Sequence, residues 1–282
     1  MATATGNRAA LPVLELTGEA TPIRALLHDL WVHRGLLPML AAKDFHARYR
    51  SASLGVLWSV LLPLLQGAVF AIVFSRVVRV PVDDAISFPV FVMSGMVLWS
   101  FFSQSLGVSS TSIVDGGAIA GKVYFPRSIL PAVPVLANVP SLCIAQCTVL
   151  ALMGLFDVDY RATLLFLPVA MVLTAAVTTM LAEPIALLHV YFRDVRYVVQ
   201  AGLLVALYAS PVIYPLAAAG SLRPVLMANP MTGPLQLARF AIFGSADSLA
   251  AALLVTAVWI LGLTVVTVLA FRRHERIAMD RL

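Results

Sequence analysis

Long apolar runs separated by short polar stretches dominate the chain from residue 51 onward. Each run approaches the roughly 20 residues that a helix needs to cross a bilayer at 1.5 Å rise per residue. The runs predict six transmembrane helices, at about Leu54 to Ser75, Phe88 to Ser109, Ile129 to Phe156, Leu164 to Val190, Val198 to Leu216 and Leu249 to Phe271. Pro131, Pro134, Pro140, Pro168 and Pro184 fall in the third and fourth runs and predict kinks or re-entrant ends, because each removes a backbone donor. Between the fifth and sixth runs, Ala217 to Ser248 is broken by Pro224, Pro230 and Pro234, which predicts short re-entrant helices in or dipping into the outer leaflet. Ahead of the first run, Ile23, Leu26, Leu27, Leu30 and Trp31 share one helical face, and Arg24, His28, Asp29 and His33 share the other. That spacing predicts an N-terminal amphipathic interfacial helix, with Thr21 and Pro22 as cap and first turn. Periodicity alone fits a plain surface anchor or a collar that meets a partner. The predicted class is an all-α polytopic membrane protein. Its parts are a tail over 1–22, an interfacial helix region over 23–50, a single transmembrane domain over 51–271 and a C-terminal tail over 272–282.

Composition agrees with this division. Hydrophobic residues make up 61% of the chain and charged residues 12%, a balance that a water-soluble domain of this size could not bury. The net charge of +5 lies between the spans, so it reads as membrane topology and not as a nucleic-acid surface. With the N-terminus inside, fourteen of the 19 Lys and Arg residues fall on the inner side, and the five others are Arg76, Arg79, Arg161, Arg223 and Arg239. The excess predicts that both termini are cytoplasmic. Met1 to Pro22 lacks the basic-then-apolar order of a secretory signal. Cys143 and Cys147, one turn apart in an apolar run, read as small core residues.

Few residues could carry chemistry. Gly116, Gly121 and Lys122 imitate the start of a phosphate-binding loop, but Val123 stands where Mg²⁺ needs a hydroxyl ligand, and no strand precedes the segment. ATP, if used, must therefore be bound by another chain. Asp83, Asp84, Asp157 and Asp159 fall in short outer loops and read as solvated. Glu183, beside Pro184 inside the fourth run, fits a lining or gating role. It equally fits a hydrogen bond to backbone freed by the proline, or an uncharged buried acid. His189 is the one residue on which a membrane-embedded glycosyl- or acyltransferase could rest. No catalytic set and no metal-binding cluster is predicted. Aromatics crowd the first two runs, and Trp58, Phe91, Trp99 and Phe102 fit interface belts, lipid packing or a conduit for sugar rings.

Four stretches in order resemble one known family: Asp44-Phe-His-Ala-Arg-Tyr-Arg-Ser-Ala-Ser-Leu-Gly-Val-Leu-Trp58; Phe88-Pro-Val-Phe with Gly95, Trp99 and Phe102; Lys122-Val-Tyr-Phe-Pro-Arg-Ser-Ile-Leu-Pro131; and Phe192-Arg-Asp-Val-Arg-Tyr197 with Ser210-Pro-Val-Ile-Tyr214 and Asn229-Pro230. They are similar to the permeases of polysaccharide-exporting ABC transporters, the type-2 exporters of O-antigen, teichoic acid and capsular chains. The resemblance implies a homodimer of six-helix permeases in the bacterial inner membrane, joined to two cytoplasmic ATPase subunits that bind ATP and Mg²⁺. No cofactor is implied in this chain. It further implies a coupling helix over Ser112 to Gly121, which places Ser112, Ile113, Asp115, Gly116, Gly121 and Lys122 against the ATPase. Small gate helices after the fifth span and an aromatic conduit through Trp58, Phe91, Trp99 and Phe102 are also implied, with a lipid-linked polysaccharide as cargo. A cell-wall galactan fits beside O-antigen, and export of a drug or small lipid is the alternative within the same superfamily. Ser128 stands where many relatives carry an acid after the Phe-Pro-Arg, so any charge pair of Arg127 must find another partner. The short C-terminal tail carries no appended carbohydrate-binding module.

Overall fold

The computed structural model describes residues 32–50, 55, 57–74, 87–116 and 126–274. The predicted interfacial contacts of Leu26, Leu27, Leu30 and Trp31, and the positions of Gly121 and Lys122, lie outside them. Every regular element among the described residues is helical. In chain order they are α1 (Leu36–Tyr49), α2 (Leu57–Ile72), α3 (Phe88–Ser109), α4 (Ser112–Asp115), α5 (Ala132–Leu155), α6 (Leu167–Tyr191), α7 (Val195–Tyr208), α8 (Arg223–Met227), α9 (Thr232–Phe243) and α10 (Leu249–His274). Short 3-10 segments at Arg127–Ile129, Ala162–Phe166 and Leu216–Leu222 lead into α5, α6 and α8.

Four helices, with their lead-in turns, are long and apolar enough to cross a membrane: Phe88–Ser109, Arg127–Leu155, Ala162–Tyr191 and Leu249–Ala270. These are the second, third, fourth and sixth predicted runs. The fifth is shorter than predicted. Its helix stops at Tyr208 after 14 residues, about 21 Å, and Leu216 belongs to a separate turn. Pro211 explains the stop, since it has no N–H to donate and restricts Ser210 before it. In the third and fourth runs, Pro131 and Pro168 occupy helix starts, where a missing donor is free of cost. Pro140 and Pro184 sit inside helices that continue on both sides.

Helix α3 forms the axis of the bundle. It touches α2, α5, α6, α7 and α9, and 83% of its apolar window is buried, against 11% for α10. Around it, α1 lies on α5, α2 lies on α3 and α5, and α6 and α10 pack together. The stretch predicted as outer-leaflet helices is made of three short pieces, and α9 is enclosed by α3, α6 and α10. Arg239 on α9 is therefore 4% exposed, which removes it from the outer-loop charges among which the sequence pattern placed it. Cys143 and Cys147 are exposed along the outer stripe of α5, so their reading as core residues is also corrected. In a chain solvated by lipid, an apolar residue gains little by facing inward, and packing shape decides.

Candidate functional site

At one end of the bundle, α4 follows α3 after a single turn. Thr111 begins that turn, and its hydroxyl donates to the Asp115 carboxylate at 2.6 Å. Ser112 donates to the Ser109 carbonyl at 2.8 Å, and Ser109 donates across to the Pro131 carbonyl at 2.7 Å. Together these bonds fold the α3 terminus back on itself and fasten it to the start of α5. Ile113 points inward and is 1% exposed, in a cluster with Leu130, Ala186 and Leu187. Leu36 of α1 and Ala270 of α10 pack against the same cluster. The cluster around this one side chain of α4 thus draws on α1, α6, α10 and the start of α5.

Between α1 and α4 lies a cleft of about 360 Å³, with Lys43 and Asp44 on one wall, Ser112, Asp115 and Gly116 on the other, and Leu130 and Pro134 at its base. The α1 wall is anchored by a polar chain. Asp44 and Arg48 form an ion pair at 2.9 Å one turn apart, and Arg48 Nη1 donates to Asn138 Oδ1 of α5 at 2.6 Å. Asn138 Nδ2 donates in turn to Ser105 Oγ of α3 at 2.9 Å.

At the opposite end, the break after α7 leaves backbone carbonyls without helical partners inside the packing, where each needs a donor. Arg239 supplies two: its Nη2 donates to the carbonyls of Pro211 and Val212. Its guanidinium lies 3.9 Å from the centre of the Phe91 ring, where ring and cation attract. Nε and Nη1 of Arg239 are buried with no hydrogen-bond partner among the described residues. Asn229 Nδ2 donates to the Ala209 carbonyl at 3.0 Å and to Ser210 Oγ at 2.8 Å, and its Oδ1 accepts from the Met231 N–H at 2.9 Å. The Ser210-to-Tyr214 and Asn229-Pro230 stretches are therefore two sides of one junction, and α3 closes it: a Cβ on Gly95 would meet the Val212 carbonyl oxygen at 2.7 Å. Arg161 Nη1 caps α9 at the Phe243 carbonyl, 2.7 Å away, beside Gly244 in the left-handed conformation.

Residues 36–243 match the sequence family described as ABC-2 type transporter, which spans most of the chain. The chain belongs to the ABC-2 type transporter family. It is 32% identical over 209 residues to the O-antigen export system permease protein RfbA of Myxococcus xanthus, covering 73% of this chain and 79% of that one. Two proteins of Klebsiella pneumoniae with the same name are 28% and 29% identical over 180 and 184 residues, each covering 64% of this chain and 68% of the relative.

Within this ABC-2 transporter the predicted site residues separate into groups. Ser112, Ile113, Asp115 and Gly116 gather at the α4 turn, with Ile113 facing the bundle. Of the four aromatics, Phe91, Trp99 and Phe102 are buried in the protomer's own core, and Trp99 and Phe102 pack at 5.2 Å between ring centres. Trp58 alone is well exposed, at 41%. Glu183 is 6% exposed, and its Oε2 has no hydrogen-bond partner among the described residues. His189 is buried too, and its Nδ1 has no hydrogen-bond partner among the described residues. Asn138, Ser105 and Arg239 were not singled out by sequence reasoning. The available signal was the polar residue in an apolar run, which in lipid is costly and calls for a partner.

Proposed function

We propose that this chain is the transmembrane subunit of an ATP-driven exporter that carries a lipid-linked polysaccharide from the cytoplasm to the outer side of the bacterial inner membrane. The observation that carries it is the match to an O-antigen export permease over 73% of the chain, beside the family match over residues 36–243, which includes α1, α4 and α7–α9. O-antigen, teichoic acid and cell-wall galactan are the candidate cargoes. In this reading α2 and α7 complete a set of six spans, both termini are cytoplasmic, and the segment ahead of α1 forms an interfacial helix at the inner surface. Two cytoplasmic ATPase subunits bind ATP and Mg²⁺ and press on the α4 turn and on α1.

Two permease copies make the conduit. Support comes from the uncovered apolar faces of α2, with Leu62, Leu65, Val69 and Ile72, and of α7, with Val198, Leu204, Val205 and Tyr208. Helix α7 has one buried residue in the isolated chain, Val195, so a second copy is a ready source of packing for it. Trp58, on the exposed side of α2, is then the aromatic best placed to meet a passing glycan.

Reconstitution of this chain with its ATPase partner in vesicles loaded with lipid-linked glycan tests the proposal. ATP-dependent appearance of the polymer on the far side is the expected result. Failure of any polysaccharide to cross, with transport of a drug or small lipid in its place, overturns the cargo. ATP hydrolysis by the purified chain alone overturns the subunit assignment.

A further inference from the structure

Helix α1 meets the bundle along α5. Ala41 is the one α1 side chain that is fully buried among those described, and the polar chain from Arg48 supplies the directional contact. At 2.6 Å the Arg48 to Asn138 bond is short and charge-assisted, and Asp44 holds the guanidinium fork from the other side. Asn138 is 3% exposed and Ser105 is fully buried, so both bonds that run inward from Arg48 are shielded from water for most of their length. An amide is the side chain suited to this position, since its oxygen accepts from α1 while its nitrogen donates to α3. Asn138 also borders a small cavity of about 20 Å³ of mixed lining, with Ser100, Gln104 and Ser141 beside Pro63 of α2, Val97 and Leu142. That space holds about one water, which can serve the remaining hydrogen-bonding capacity of the amide. One residue of α5 therefore sits where α1, α2 and α3 converge.

We infer that Asn138 is the positioning residue that transmits a displacement of α1 to the central helix α3, through the series Asp44, Arg48, Asn138 and Ser105. The inference rests on the exporter reading above. Because the links are in series, breaking either inner one interrupts the hydrogen-bonded route from α1 to α3 and leaves only the apolar packing through α5, and breaking both adds nothing further to that route.

The test uses the complete permease–ATPase complex in vesicles and reads polymer exported per ATP hydrolysed. N138L removes both bonds while keeping the same branching and heavy-atom count, S105A removes only the bond to α3, and N138D keeps an acceptor for Arg48. The expected result is a roughly tenfold fall in export per ATP for N138L, the equivalent of one lost buried charge-assisted bond, with ATPase activity retained. S105A and the N138L/S105A double variant fall to the same level. N138D keeps the α1 amides over residues 36–49 protected from hydrogen exchange, while N138L exposes them. A purely structural role lowers Tm, ATPase activity and export together, and that outcome overturns the inference. So does wild-type export per ATP in both N138L and S105A. If the wild-type complex exports nothing, the exporter reading fails by itself. The exchange comparison then still decides the link, which unchanged α1 protection in N138L would refute.

Discussion

Alanine at Gly95 and alanine at Gly107 are the same change on the same helix, and the structure gives them opposite signs. A Cβ at Gly107 meets nothing within 4 Å, so G107A gains only helix propensity and reduced unfolded-state freedom, about 0.5–1 kcal/mol. A Cβ at Gly95 lands 2.7 Å from the Val212 carbonyl oxygen and 3.3 Å from Val212 Cγ1. Carbon meets a carbonyl oxygen comfortably at about 3.3 Å or more, so the turn must retreat by roughly 0.6 Å. It is not free to do so, because the same oxygen accepts from buried Arg239 at 3.1 Å, and retreat stretches that bond beyond useful length. Overpacking costs about 1–3 kcal/mol, and part of a charge-assisted bond adds to it, against the same propensity gain. The net for G95A is about 2–4 kcal/mol of lost stability. Thermal unfolding of the purified protein in lipid nanodiscs reads the difference. For a chain of this size, G95A melts on the order of 5–10 °C below wild type and G107A about 1–3 °C above it. The close approach of α3 to the 209–214 turn is refuted if G95A melts at or above wild type. An equal fall in both variants would instead show that the helix tolerates no alanine, and the contact with Val212 would explain nothing.

Truncation of Ile113 to Ala empties a site shared by α4, α6 and the start of α5. It costs about 2–5 kcal/mol, read as a lowered Tm with export reduced more than ATPase activity. N229A removes three hydrogen bonds at the α7–α9 junction, leaves the Ala209 carbonyl unsatisfied, and is expected to cost about 1–3 kcal/mol and to speed proteolysis after Tyr208. E183Q keeps the shape of a side chain that has no ion pair among the described residues, so export stays within about twofold of wild type; a larger loss would show that an ionised carboxylate is needed. Cys143 and Cys147 face outward, so C143A/C147A leaves Tm within about 1–2 °C of wild type, whereas truncation of a buried pair would lower it by more.

The long spans were legible because hydropathy reports exactly what the bilayer selects, namely length and apolarity. The run at Phe88 to Ser109 coincides with α3, and the sixth run begins with α10 at Leu249. Hydropathy misses a break made by one ring, and so the fifth run was carried past Pro211 to Leu216. It is equally blind to which side of a helix faces the protein, and this misplaced Cys143 and Cys147. In water the same residues would have been sorted by the hydrophobic effect, whereas lipid removes that sorting. Arg239 failed for the opposite reason. A positive charge between two apolar runs counts as topology, and only the coordinates show it turned inward to serve two carbonyls freed by the proline break.

In such a chain the polar minority carries the positional information. Apolar faces on α3, α5 and α6 are nearly interchangeable in chemistry, so dispersion alone leaves many registers close in energy. A hydrogen bond in lipid has no water to replace it, and a one-residue slip leaves its partners unsatisfied. Ser109 to Pro131 fixes α3 on α5 at one end, Asn138 to Ser105 fixes them about one turn further in along α3, and Arg239 with Asn229 fixes the opposite end. Asn138 and Arg239 also join separate elements, α1 to α5 in one case and the 209–214 turn to α9 in the other. At both places one or two bonds of defined direction stand beside the apolar packing, so a slip of either element leaves a buried polar group unsatisfied.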